Sequence, residues 1–273
     1  MLKILLDSAK ELAEKLEIDK IVVITKSEAE KDPALVFAPK NYAILLDTVL
    51  RQVENKADKF IFEGITYLQG VKEYVASLFY LKGIESKKSL VVVDLESLKA
   101  LSIFDLESCS FLRAIERCAE RVDPEAFRSV LRVAMNLAFK GREGKKIGTA
   151  FIMGDVEEVL NRSTQLVLNP FFGHKESDRD IKNPEIWESV MEFAQIDGVF
   201  VLDEKGIIVS AGRYIEVPSK NLNFNLGLGG RHLACAAITK ETKAIAIVVS
   251  ETGGDIRVYK DGEEILKVQS ILY

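Results

Sequence analysis

The sequence predicts an α/β fold in two parts, a small N-terminal parallel α/β domain followed by a mixed-sheet α/β domain. Two observations carry that expectation. Short apolar runs without alternation, "KIVVIT" at 20–25 and "SLVVVDL" at 89–95, read as strands covered on both faces, as in a parallel sheet. Around such runs the apolar residues shift to three- and four-residue spacing, the mark of helices packed on that sheet. With 273 residues, 48% of them hydrophobic, the chain has enough apolar side chains for two buried cores.

Leu5, Leu6, Ala9, Leu12, Ala13 and Leu16 form one stripe of an opening helix, with Lys10, Glu11, Glu14 and Lys15 on its wet face. After "KIVVIT", the runs "LVFAP" (35–39) and "KFIFEG" (59–64) repeat the strand signal, and helical patterns at 41–54 and 67–82 separate them. The first domain is thus expected over residues 1–105. A mostly helical passage, "SLKALSIFDLESCSFLRAIERCAERVD", follows Leu95, and 106–123 reads as a helical linker. Asp123-Pro124 supplies an N-cap and a proline at the first helical position, and the helix from Pro124 to Lys140 stops at the glycines of "GREGKK". The second domain is expected over 124–273, with strands at "IGTAFIMGD", "TQLVLNP", "GVFVLD", "GIIVSAGRYI", "AIAIVVSE" and "IRVYK". Asp203–Gly206 and "KDGEE" read as turns, the first of them closing a hairpin.

A net charge of −5, with Lys and Glu interleaved along the helices, argues against a nucleic-acid footprint, which gathers basic residues on one face. No stretch approaches the eighteen or so apolar residues of a membrane span, and the N-terminus alternates charge with leucine where a signal peptide would be apolar, so the expected location is the cytoplasm. Cys109, Cys118 and Cys235 are scattered and odd in number, with no CxxC, and speak against both a disulfide framework and a thiolate zinc site.

Three stretches carry the candidate chemistry. In "GLGGRHLACAAITKETKA" (227–244), Gly227, Gly229 and Gly230 allow positive φ and close approach, and a helix starting at Gly230 points its N–H groups at an anion, with Arg231 as a bidentate donor. A plain structural turn is the alternative reading. Leu233, Ala234, Ala237 and Ile238 are expected to pack that helix on the sheet. In "IDGVFVLDEKGIIVSAGRYI", Asp197 and Gly198 place a carboxylate beside open backbone at a strand start, as a metal ligand or as an ordinary Asp-Gly turn. In "VVSETGGDI", Ser250 and Glu251, with Thr252, end a buried strand and line a pocket or a solvated turn. His174 reads as a loop histidine, and Trp187 and Phe193 as core.

Taken together these stretches resemble the diadenylate cyclase family, whose signatures are a DGA motif and an RHR motif after a Gly-Thr turn. Asp197-Gly198 matches the first with Val199 in place of alanine. Arg231-His232 matches the second with Leu233 in place of the second arginine and Gly230 in place of the threonine. "VVSETGG" is similar to the family's serine-glutamate turn, and "GREGKKIGTAFIMGD" to the strand that opens the domain. The resemblance is closest to the archaeal type, in which the cyclase domain follows a small α/β domain similar to the C-terminal domain of pyruvate kinase; "KIVVITKSEAE" carries that part.

The resemblance implies condensation of two ATP into cyclic di-AMP with loss of pyrophosphate, the 3′-hydroxyl of each attacking the α-phosphate of the other across a face-to-face homodimer. It implies Mn²⁺ or Mg²⁺ at Asp197, and the triphosphate held by Arg231, His232, Gly229, Gly230 and the helix start. Gly198, Val199, Ser250, Glu251 and Thr252 would line the nucleotide pocket, and Arg213 would replace the cation missing at Leu233. The positive field of Arg231 and the helix start is expected to keep His232 neutral. A catalytically degenerate nucleotide-binding sensor is the alternative, motivated by Leu233 and Gly230.

Overall fold

The structure, a computed structural model, describes residues 1–26, 35–37, 60–96, 98–142, 145–217, 229–251 and 254–268. The chain divides into two compact units, one of residues up to Arg113 and one over Ala114–Ser270. Among the described residues, no helix is long and apolar enough to cross a membrane.

In the first unit α1 (Leu2–Lys15) is followed by β1 (Ile21–Thr25), β2 (Leu35–Phe37), α2 (Phe60–Lys82), β3 (Lys88–Asp94) and β4 (Lys99–Asp105). The sheet order is β2-β1-β3-β4, parallel except for the antiparallel edge strand β4. Ala9 and Ala13 on the inner stripe of α1 pack with Ile21, Val23, Leu90 and Val92. Burial of each Ile, Val or Leu side chain in this set contributes about 1.5–3 kcal/mol. Over residues 60–64 the strand expected at 59–64 is instead the start of α2: an unalternating apolar run fits a helix as well as a strand, and here it runs on into the helical spacing after it. The helix expected through 99–105 is instead β4, whose partial exposure suits an edge strand. The helical pattern at 41–54 lies outside the described residues.

Helix α3 (Ser110–Ala119) carries the division between the units. Its start is capped by Glu73 of α2, which accepts from Ser110 N (3.1 Å), Phe111 N (2.9 Å), Ser110 Oγ (2.8 Å) and Cys109 Sγ (2.7 Å). Burial pulls the Glu73 carboxyl up, but these donors outweigh it and hold the group below its usual range.

The second unit continues with α4 (Pro124–Lys140), β5 (Thr149–Met153), α5 (Val156–Asn161), β6 (Ser163–Gln165), α6 (Trp187–Phe193), β7 (Val199–Leu202), β8 (Ile208–Ile215), α7 (Gly230–Glu241), β9 (Ile245–Val249), β10 (Ile256–Lys260) and β11 (Glu263–Val268). The seven strands follow the order β11-β10-β9-β5-β7-β8-β6. Alternation sets Ala150, Ile152, Val199 and Val201 against Cys235, Ala236 and Ile238 of α7. Phe151 and Phe200 project to the other face and stack at 4.9 Å. The buried face of α7 is His232, Cys235, Ala236 and Thr239 with Ala237 and Ile238, while Leu233 and Ala234 are only half-buried. The strand expected over "TQLVLNP" is confined to Ser163–Gln165, and Leu166, Val167 and Leu168 are exposed.

Pairing at the sheet centre positions the candidate site. Phe151 pairs with Phe200 in the parallel ladder and Thr149 with Val249 in the antiparallel one. Extending both registers to Gly148 brings it beside Asp197 and Ser250, so the start of β5, the start of β7 and the end of β9 meet at one edge.

Asp123 caps α4 by accepting from Ala126 N at 2.8 Å, with Pro124 at the first turn. Asp123→Ala is expected to lower unfolding free energy by about 1 kcal/mol, measured by urea denaturation with an unchanged slope.

Candidate functional site

A cleft of about 670 Å³ opens at this edge, lined among others by Lys145, Lys146, Gly148, Asp197, Arg231 and Glu251. A smaller hollow of about 340 Å³ shares Asp197 and Arg231 and adds Gly198, Val199, Arg213 and Gly230. The sheet edge supplies Asp197 and Glu251, and the first turn of α7 supplies Arg231.

The Asp197 carboxylate is 86% exposed, and its Oδ1 accepts from Gly198 N at 3.0 Å and from Arg231 Nη2 at 3.5 Å. An ion pair this open contributes at most about 1 kcal/mol. Both partners therefore exchange each other for a ligand at small cost. Gly198 has φ +110°, and a Cβ there would fall 2.7–2.8 Å from backbone atoms of Gly212 and Arg213, so only glycine lets β7 begin this close to β8. Val199 is buried and pairs with Arg213, leaving its backbone as what it presents.

The glycines before α7 play a different part from the one expected. Gly227 lies outside the described residues. Gly229 has φ −67°, and a Cβ on Gly229 or Gly230 would meet nothing within 4 Å. Neither is required by backbone conformation. What they leave, among the described residues, is a helix start with no capping side-chain hydrogen bond and no atom within 4 Å of a Cβ on either glycine.

Arg231 and His232, adjacent in sequence, diverge. One residue along a helix turns the side chain by about 100°, so Arg231 lines the cleft while His232 joins the core stripe. His232 is 6% exposed and its ring Nδ1 lies 3.1 Å from Tyr259 Oη. That placement corrects the expected phosphate contact: His232 fixes the first turn of α7 from beneath. Burial lowers its pKa, Arg257 and Arg231 reinforce the shift, and Glu264 and Asp255 oppose it.

Arg213 is likewise corrected as a spare cation. Its guanidinium donates to Ser163 Oγ (2.8 Å), Gln165 Oε1 (3.3 Å), Leu160 O (3.0 Å) and Ser163 O (2.5 Å), tying β8 to β6. Ser250 N donates to Asp255 O at 2.8 Å and Gly254 N to Ser250 O at 2.9 Å, closing the turn that presents Glu251. Thr252 lies outside the described residues. His174 is an exposed loop residue; Trp187 is half-buried and donates to Ile181 O at 2.7 Å.

Gly148 is a site residue the motifs did not single out. A Cβ there would fall 2.8 Å from Glu251 Cβ and 2.9 Å from Arg231 Nη1, so its lack of a side chain lets three segments close on one another. Lys145 and Lys146 were also missed. Their signal is the pair of cations in "GREGKKIGTA" immediately before the first strand of the unit.

Among the described residues no three His, Cys, Asp or Glu side chains gather as a metal cage. Asp197 and Glu251 instead line an open cleft. One or two carboxylates in open water suit a hard cation that takes its other ligands from water and substrate phosphates, as Mg²⁺ does.

Residues 136–264 match the family described as DisA bacterial checkpoint controller nucleotide-binding. The cleft residues fall inside that span. Residues 136–264 are a diadenylate cyclase family domain. Residues 4–107 match a second family, described as probable sensor domain DacZ_A. The chain is 42% identical over 142 residues to a diadenylate cyclase of Methanocaldococcus jannaschii, covering 51% of this chain and 44% of that protein. It is 40% identical over 153 residues to a diadenylate cyclase of Haloferax volcanii, covering 56% of each. The matches thus span about half the length of these curated relatives. Among solved structures, DacA from Staphylococcus aureus, a double mutant, is 21% identical with a TM-score of 0.39, covering 53% of this chain and 87% of that one.

Neutral His232 predicts a pH dependence. Because the folded state holds its pKa below the ordinary 6.5, the unfolded chain takes up the proton first as pH falls. The stabilisation is complete above 6.5 and is lost below it. Urea midpoints measured from about pH 7.5 down to about pH 5 are expected to fall, and to fall less in His232→Gln.

Proposed function

We propose that this chain is a diadenylate cyclase that condenses two ATP into cyclic di-AMP and releases pyrophosphate. The observation that carries this reading is the convergence of Asp197, Arg231 and Glu251 on one cleft inside the family domain. The names of the two archaeal relatives support it.

In this reading the reaction is an in-line displacement that needs alignment and charge neutralisation more than covalent help. The 3′-hydroxyl oxygen of one ATP bonds to the α-phosphorus of the other. The bond to the bridging oxygen breaks with its electron pair going to pyrophosphate, and the hydroxyl proton passes to solvent. Arg231 leaves Asp197 for the triphosphate, helped by the uncapped start of α7. Asp197, with Oδ1 already accepting from Gly198 N, presents its carboxylate to Mn²⁺ or Mg²⁺. When bound, that cation neutralises phosphate charge. His232 acts as a positioning residue for Arg231, through Tyr259.

Each ATP needs a second one facing it, so the reading requires two copies. An exposed apolar surface beside the site supports this. Leu168 is 95% and Phe172 85% exposed. They line a hollow of about 870 Å³ that shares Arg213 with the smaller hollow at Asp197. Apolar side chains gathered like this mark contact surfaces.

Purified protein incubated with ATP and Mn²⁺ or Mg²⁺ is expected to yield cyclic di-AMP by mass; ATP binding with no pyrophosphate release under either metal would favour the degenerate sensor instead. Asp197→Asn is expected to lower turnover by at least about 100-fold while ATP still binds. The pair Leu168→Asp and Phe172→Asp is expected to shift the protein toward monomer by sedimentation and to lower turnover, with ATP affinity per chain retained.

A further inference from the structure

We propose that Lys145 and Lys146 bind the β- and γ-phosphates of ATP, supplying from the strand β5 side the charge that α7 lacks at Leu233. The proposal rests on the cleft being the ATP site argued above. The cations lining that cleft are Lys145, Lys146 and Arg231. Arg231 is shared with Asp197, and Arg213 turns four of its five N–H donors toward β6 and α5. A triphosphate carries about four negative charges near neutral pH, and with the Asp197 and Glu251 carboxylates on the same cleft that is more than one guanidinium, a helix start and a divalent cation balance.

The two lysines are held at the cleft by a built arm rather than by chance exposure. At its root Gly141 has φ +57°, and a Cβ there would fall 2.0 Å from Lys145 O, so only glycine lets the chain fold back on itself. Arg142 and Lys145 then exchange backbone hydrogen bonds at 2.9 and 2.8 Å. The Arg142 guanidinium anchors its end of this pairing to α6, pairing with Glu188 at 2.7 Å and with Glu192. At the far end Gly148 is pressed between Arg231 and Glu251. Lys145 and Lys146 lie between two such anchors, with exposed side chains, on the same cleft as Arg231. The Lys145 backbone is paired with that of Arg142, while the long stems of both lysines let the ammonium groups follow the phosphates. That combination suits a group that departs as pyrophosphate.

The test compares wild type, the double variant Lys145→Ala with Lys146→Ala, and the double variant Lys145→Arg with Lys146→Arg, all as the full chain. Equilibrium binding of ATP and of AMP, without turnover, is read beside KM and kcat. The alanine pair is expected to weaken ATP binding by about tenfold or more, the scale of one lost charge-assisted contact, with AMP affinity unchanged and the arginine pair close to wild type. ATP affinity within about twofold of wild type, or an equal loss for AMP, would overturn the proposal, provided the alanine pair unfolds at the wild-type urea midpoint. If wild type binds ATP but forms no cyclic product, the cyclase reading fails and the ATP-against-AMP comparison still decides the lysines. If wild type binds no ATP, both fall.

Discussion

Pairing of β5 with β7 on one side and β9 on the other is the constraint from which the candidate site follows. β5 is buried throughout, so its register against each neighbour is set by core packing, and a slip of one residue would turn apolar side chains out of the core. Once that register is set, Gly148, Asp197 and Glu251 arrive at one edge with no freedom left to them. Helix α7 is then laid on the sheet by its own stripe of His232, Cys235, Ala236 and Thr239, and its first turn delivers Arg231 to the same edge.

The site is assembled from weak contacts on a rigid frame. Asp197 and Arg231 meet in an exposed pair of small energy, whereas the backbone around them is closed by contacts that tolerate no Cβ at Gly148 or Gly198. Side chains free to exchange partners sit on main chain that is not. Such a division suits a site that must hold a highly charged ligand and then release a charged product, because the reorganisation is confined to side chains.

How much of this is legible in the sequence depends on whether a residue's role is set locally. β1, β3, β5 and β9 read directly from their short apolar runs, and the α4 cap from Asp123-Pro124. Residues 59–64 and 99–105 do not, since a short apolar run fits either helix or strand until its neighbours decide. Motif spacing drew Asp197 and Arg231 together, and they lie 3.5 Å apart. The same motif sets His232 beside Arg231 without showing that one helical step sends it into the core, and Arg213 offers a charge whose donors are turned mostly toward β6 and α5. Gly148 is invisible because its importance lies in contacts with residues about 50 to 100 positions away, which no local pattern encodes, and the two lysines show only as a pair of cations ahead of a strand.

The cysteines bear on how the molecule behaves in air. Cys109, Cys118 and Cys235 are all buried and unpaired in disulfides. Burial pushes each thiol up to about 12, with Glu73 adding to the effect at Cys109. Since the thiolate is the reactive form, the folded chain carries almost none of it at neutral pH. Buried and held as thiols, the three offer little to mild oxidants and maleimides, so a single cysteine engineered onto the surface is the preferred site for a spectroscopic label.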